Sequence, residues 1–126
     1  MNLRDIKLKE LLRFLVGGGS AVIVDYLVLQ GLMLLGLSLS PAKAVSFVCG
    51  AAVGFVINKL WTFERKKFSR TEILRYVILY TCTALINTGV NAAVFHLLGN
   101  VTFAFLCATG TSTVLNFLGQ KFFVFR

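Results

Sequence analysis

Residues 42–63 read AKAVSFVCGAAVGFVINKLWTF, and this stretch decides the fold. Its apolar residues run on without the strict alternation of a barrel strand, and it is long enough to cross a hydrocarbon core of about 30 Å, which takes roughly 20 helical residues. Working outward, three more runs of that kind fill most of the chain. The spans are expected at about Leu11 to Leu35, Ala42 to Phe63, Ile73 to Leu98 and Val101 to Phe125. Closed barrels and helices are the only backbones that satisfy their own polar groups in lipid, so all four spans read as helices. The fold class is an all-α membrane protein with four transmembrane helices. With 57% hydrophobic residues among 126 and a mean hydropathy of +0.82, the composition is too apolar for a soluble fold of this size. Little chain remains for a soluble catalytic domain, which needs roughly 100 residues of its own, so no enzymatic role is expected.

The first span is too long for a signal peptide and carries Asp25 inside it. The formal charge of +8 is distributed unevenly. Arg4, Lys7, Lys9 and Arg13 precede the first span; Lys59, Arg65, Lys66, Lys67, Arg70 and Arg75 surround the central loop; Lys121 and Arg126 close the chain; only Lys43 falls on the other side. Basic residues near span ends resist translocation, so the count predicts both termini and the central loop on the cytoplasmic side, in contact with anionic lipid rather than nucleic acid. Cys49, Cys82 and Cys107 lie within apolar runs without zinc or redox spacing, and His96 stands alone near an outer span end. No metal or cofactor is expected.

Sliding the chain by about 62 positions superimposes its halves without a gap. Glu10, Leu12 and Arg13 fall on Glu72, Leu74 and Arg75; Phe55, Lys59 and Phe63 fall on Phe117, Lys121 and Phe125; Asp25 falls on Asn87. One transmembrane domain over 1–126 is therefore expected to hold two helical hairpins, repeat 1 at about 8–63 and repeat 2 at about 70–126. Each copy crosses twice and starts on the same side, so the repeats are parallel and related by an axis along the membrane normal. Gly36 to Pro41 and Leu98 to Asn100 read as tight outer turns, and Glu64 to Glu72 as a charged inner linker.

Polar groups inside these spans mark the candidate sites. Ser46, Gly50, Gly54 and Asn58 recur every four residues and share one helix face; their counterparts are Ala108, Ser112, Asn116 and Gln120. Small residues at this spacing pack helices, whereas the amides of Asn58, Asn116 and Gln120 are unnecessary for close approach and suit a phosphate or sugar hydroxyls. Asp25 stands roughly 18 Å along its helix from Arg13. It is expected to be protonated, paired or open to a wet cavity: either hydrogen-bonded to Asn87 or another bundle residue, or part of an intramembrane polar path with Thr83, Asn87 and Asn91. At the basic end Arg13 and Arg75 share the pattern Glu-x-Leu-Arg, while Lys59 and Lys121 sit beside Asn58 and Gln120. Snorkelling to head groups is one reading of these cations. A phosphate site formed by paired cations near the repeat axis is the other.

Arg13-Phe14-Leu15-Val16-Gly17-Gly18 opening the first span, and Asn58-Lys59-Leu60-Trp61-Thr62-Phe63 closing the second, resemble the two signatures of the GtrA-like family. Weaker echoes, Arg75-Tyr76 and Asn116-Phe117 with Lys121-Phe122-Phe123-Val124-Phe125, extend the resemblance over nearly the whole chain. It implies a bacterial inner-membrane protein that moves a polyprenyl-phosphate-linked sugar, such as undecaprenyl-phosphate glucose, to the outer leaflet for surface polysaccharide or teichoic acid modification. The family's cationic and amide positions fall on Arg13, Asn58, Lys59, Arg75, Asn116 and Lys121, with Phe123 where the first repeat has Trp61. Four helices offer a groove but hardly an enclosed channel, so a homodimer or higher oligomer is expected. The alternatives are an anchor for a polyprenyl-phosphate glycosyltransferase partner and a small multidrug-type, proton-coupled exporter, against which the one-sided charge speaks.

Overall fold

The protein is described by a computed structural model covering residues 3–125. After a short 3-10 turn at Leu3–Asp5 come α1 (Leu8–Leu34), α2 (Leu39–Ile57), α3 (Arg70–Leu98) and α4 (Val101–Gly119). The chain falls into two compact units that divide between Lys66 and Lys67. Each is an antiparallel helical hairpin: α1 packs on α2 in hairpin 1, and α3 on α4 in hairpin 2. All four helices are long and apolar enough to cross a membrane. Large side chains such as Leu34 and Leu35, 88% and 81% exposed, are groups that lipid rather than water solvates.

Both α2 and α4 run on into a wider, π-helical turn. These are π1 (Asn58–Thr62) and π2 (Gln120–Val124). In each turn an amide reaches five residues back: Phe63 N–H donates to the Asn58 carbonyl at 2.8 Å, and Phe125 N–H to that of Gln120, also at 2.8 Å. With its π-turn, each second helix counts 24 residues, close to the length needed for a tilted crossing.

The helix ends follow from local chemistry. Gly36 takes φ +102°, letting its N–H donate to Met33 O at 3.0 Å and that of Leu37 to Leu32 O at 3.1 Å, the paired bonds of a Schellman stop. Gly99 at φ +65° closes α3, and the side chain of Asn100 then caps α4 by accepting from Phe103 N–H at 2.9 Å. The helices are longer than the apolar runs suggest. Pro41, expected in the turn, stands third in α2, where its missing N–H would have no helical partner in any case. Glu72, expected in the linker, belongs to α3, because the Ser69 side chain accepts from the Glu72 N–H at 3.3 Å and starts the helix at Arg70.

In lipid the hydrophobic effect does not drive helices together, so each hairpin depends on close packing and hydrogen bonds across its seam. In hairpin 1, Gly50 lies against α1 so tightly that a Cβ there would stand 2.7 Å from the Ala21 carbonyl oxygen and 3.0 Å from Asp25 Cβ. Gly17 is similarly close to α2, where a Cβ would meet Asn58 Oδ1 at 2.8 Å and Ile57 Cγ2 at 3.0 Å. Sixty-two positions later the sizes are exchanged. Leu79 stands where α1 has Gly17, Gly119 stands where α2 has Ile57, and a Cβ on Gly119 would strike the Leu79 side chain, with Cδ2 at 2.7 Å.

Candidate functional sites at the basic ends and along the seams

The last carbonyls of a helix lack intrahelical donors, and in both hairpins an arginine from the first helix supplies one. Arg13 Nη1 donates to the Trp61 carbonyl at 2.8 Å, and its guanidinium carbon lies 5.0 Å from the Trp61 ring centroid. Arg75 Nη1 donates to the Phe123 carbonyl at 3.3 Å, 5.6 Å from the Phe123 ring centroid. The same contact therefore recurs 62 residues apart, and the Trp-to-Phe departure keeps the ring that the cation covers. Arg13 also donates to Glu64 Oε1 at 3.0 Å, and Lys9 Nζ reaches that oxygen at 3.4 Å. The charge of Lys9 first, then its hydrogen bond and the proximity of Arg13, hold the Glu64 carboxyl below its ordinary range.

Beside these arginines the π-turns cover polar side chains. Asn58, Lys59 and Thr62 are buried in π1, with Thr62 Oγ1 donating to Asn58 Oδ1 at 2.9 Å; Lys59 has no exposed surface. In π2, Gln120 is fully buried, while Lys121 is half-buried with Nζ 5.8 Å from the Phe122 ring centroid. Arg13, Asn58 and Lys59 thus stand together at the end of hairpin 1, and Arg75, Gln120 and Lys121 at the end of hairpin 2. Asn116 lies one turn further in. Its Oδ1 accepts from Thr83 Oγ1 at 2.8 Å, tying it to the seam.

The remaining polar residues are also seam partners. Asp25 accepts from Lys43 Nζ at 2.8 Å and from Ser46 Oγ at 2.6 Å, so the acid is paired within its own hairpin. Asn87 Nδ2 donates to Ser112 Oγ at 2.8 Å. Thr83, Asn87 and Asn91 follow one face of α3; the first two engage α4, and Asn91 opens on a shallow groove of about 200 Å³ with Phe95, Val101 and Ala104. Thr83 and Asn116 take the positions that Ala21 and Gly54 hold in hairpin 1, both of them buried there. One seam is therefore closed by small residues at that level and the other by a hydrogen bond. Sequence reasoning missed Lys43 as the partner of Asp25 and Glu64 as the partner of Arg13. The signal for the first was available: folding the chain about Gly36 brings Ser46 nearly level with Asp25 and Lys43 one turn nearer the bend.

A family model described as GtrA/DPMS, transmembrane domain, matches residues 13–125, starting at the arginine that grips π1 and ending at the residue that follows π2. The chain belongs to this family. Family membership brings a general role in glycosyl-lipid-related translocation, and with four apolar helices the protein is a multi-pass membrane protein. A relative in Bacillus subtilis (strain 168), described as "Uncharacterized membrane protein YngA", is 27% identical over 124 residues, covering 94% of this chain and 81% of that one.

Proposed function

We propose that this GtrA/DPMS-family chain flips a polyprenyl-phosphate-linked monosaccharide across the bacterial cytoplasmic membrane, feeding glycosylation of surface polysaccharide or teichoic acid. The observation that carries this reading is the repeated basic foot. Each hairpin ends in a π-turn that holds a lysine and is gripped by an arginine, and in hairpin 1 that lysine is wholly buried. The partly exposed Arg13 and the half-buried Lys121 gather positive charge at these ends, and a lipid phosphate is an anion found at this depth. In this reading each hairpin's foot is its own site for a phosphate and first sugar hydroxyls, Arg13, Asn58 and Lys59 in hairpin 1 and Arg75, Gln120 and Lys121 in hairpin 2. Asp25 along the seam of hairpin 1, and Asn116, Asn87 and Asn91 along that of hairpin 2, continue the polar path within each hairpin. The uneven distribution of Lys and Arg supports cytoplasmic termini, with both feet at the inner leaflet. The tail stays in lipid, and a second copy of the chain completes the groove. The protein performs no covalent chemistry in this reading.

The test is transport of a labelled polyprenyl-phosphate glucose between leaflets of liposomes that contain the purified protein. Lys59→Ala and Arg75→Ala are expected to insert normally and slow transport at least tenfold. Unchanged transport in both variants refutes the phosphate site. A second reading, an anchor for a polyprenyl-phosphate glycosyltransferase, draws on the exposed basic segment Arg65, Lys66 and Lys67. It gains if the protein moves no sugar lipid yet co-purifies with such an enzyme.

A further inference from the structure

Hairpin 1 contains an ion pair that hairpin 2 does without. Asp25 and Lys43 lie on the bend-side half of the α1–α2 seam, joined at 2.8 Å and braced by Ser46, whose hydroxyl donates to Asp25 Oδ1. Sixty-two positions on, their counterparts are Asn87, Phe105 and Ala108, and Asn87 holds its seam with a neutral hydrogen bond to Ser112. Hairpin 2 is thus an internal control. It shows that a hairpin of this build closes at this level without charge, and a charged pair in an apolar seam costs more than a neutral one. Packing therefore does not account for the lysine.

The exposure of the two partners indicates what does. Asp25 is the sheltered member, its side chain 18% exposed, whereas the Lys43 side chain is 53% exposed. A ligand arriving at this point meets an ammonium, so it is an anion. An ammonium has three donors, and the bond to Asp25 uses one. Lys43 also stands in the second turn of α2, near a helix start whose Ser38 makes no side-chain cap, so the positive end of that helix reinforces the charge.

We propose that Lys43, oriented by Asp25 and Ser46, binds a phosphate at the bend end of hairpin 1, its natural source being a lipid headgroup. Combined with the cargo and topology proposed above, on which this use of the site rests, Lys43 becomes the receiving site in the outer leaflet for the phosphate that the basic foot of hairpin 1 holds at the inner one. Asp25 sets the affinity: it holds the ammonium in place while competing with the arriving anion, which keeps the phosphate releasable.

Titration of the full-length protein in maltoside micelles, with geranyl phosphate and separately with inorganic phosphate, tests this. It is done in a Lys59→Gln, Lys121→Gln background, which weakens both basic feet, so that the dependence on Lys43 is read against a low background. Lys43→Gln is expected to weaken geranyl phosphate binding about tenfold, the loss of one charge-assisted hydrogen bond, and Lys43→Arg to retain it. Asp25→Asn, which copies the residue at position 87, is expected to tighten binding, because it removes the competing carboxylate and keeps a seam hydrogen bond. A purely structural pair predicts that Asp25→Asn and Lys43→Gln weaken binding alike. That result, or binding indifferent to Lys43, overturns the proposal. Equal dependence on Lys43 for inorganic phosphate makes the site one for phosphate itself, and dependence for geranyl phosphate alone makes it one for lipid headgroups. Absence of sugar-lipid transport by the unaltered protein, alongside binding that still depends on Lys43, removes the flippase reading and leaves this site standing.

Discussion

Substituting Gly50 by alanine adds one methyl group at the tightest backbone approach of hairpin 1. The new Cβ would lie 2.7 Å from the Ala21 carbonyl oxygen and 3.0 Å from Asp25 Cβ. Ordinary carbon–oxygen contact needs about 3.3 Å or more, so α1 and α2 must separate by roughly half an ångström, and the obstacle is backbone that has no rotamer to change. Overpacking of this kind costs about 1–3 kcal/mol. Separation also stretches the Ser46–Asp25 hydrogen bond, and interhelical bonds in membranes average about 0.6 kcal/mol. Alanine's better helix propensity opposes these losses by up to about 1 kcal/mol, but that gain cancels when the comparison is made with Gly18→Ala, since a Cβ on Gly18 meets nothing within 4 Å. The expected result is that Gly50→Ala is less stable than Gly18→Ala by about 1–3 kcal/mol, measured by reversible unfolding in mixed micelles with increasing SDS. Equal stability of the two variants, within about 0.3 kcal/mol, would mean that the α1–α2 approach does not limit packing here.

Three further outcomes are expected. Arg13→Lys keeps the charge but loses the flat guanidinium that covers Trp61 while bonding its carbonyl, so it should destabilise hairpin 1 by about 1–2 kcal/mol; Arg75→Lys, whose contacts are longer, should cost less in the same unfolding measurement. Thr83→Val retains shape and removes the hydroxyl that donates to Asn116, costing about 0.6–1.7 kcal/mol, with Thr81→Val on the exposed face as the near-neutral control. Glu64, held below the ordinary carboxyl range by Lys9 and Arg13, ties the start of α1 to the central loop fully above about pH 4.5. That tie is lost as pH falls through the lowered value, so proteolysis of the loop should accelerate in acid, and Glu64→Gln should accelerate it at neutral pH and remove the dependence.

The helices were legible because a span of apolar residues has few other solutions in lipid. Their ends were less so, since Pro41 and Glu72 read as turn and linker until the first-turn amides they spare or bond are considered. Arg13 and Arg75 were legible as equivalent cations from their shared pattern, and the carbonyls they grip were not, because no residue type announces a π-turn. Comparing the halves by identity could not find Gly17 with Ile57 and Leu79 with Gly119 either. The quantity kept across that seam is the summed size of two facing residues, and neither residue alone preserves it. Asp25 was legible as an anomaly. Its pairing with Lys43 depends on hairpin register, which the bend at Gly36 sets.

The π-turns make the chain intolerant of small length changes at two points. A turn that spans five residues stores one more than an α-helix would use, so deleting a single residue within 58–62 or 120–124 lets the helix relax to its ordinary winding. Residues inside the turn then shift by up to one helical position, about 100° around the axis. The ring under the arginine and the carbonyl it grips would leave together, so one missing codon would undo both contacts while every side chain that makes them was still encoded.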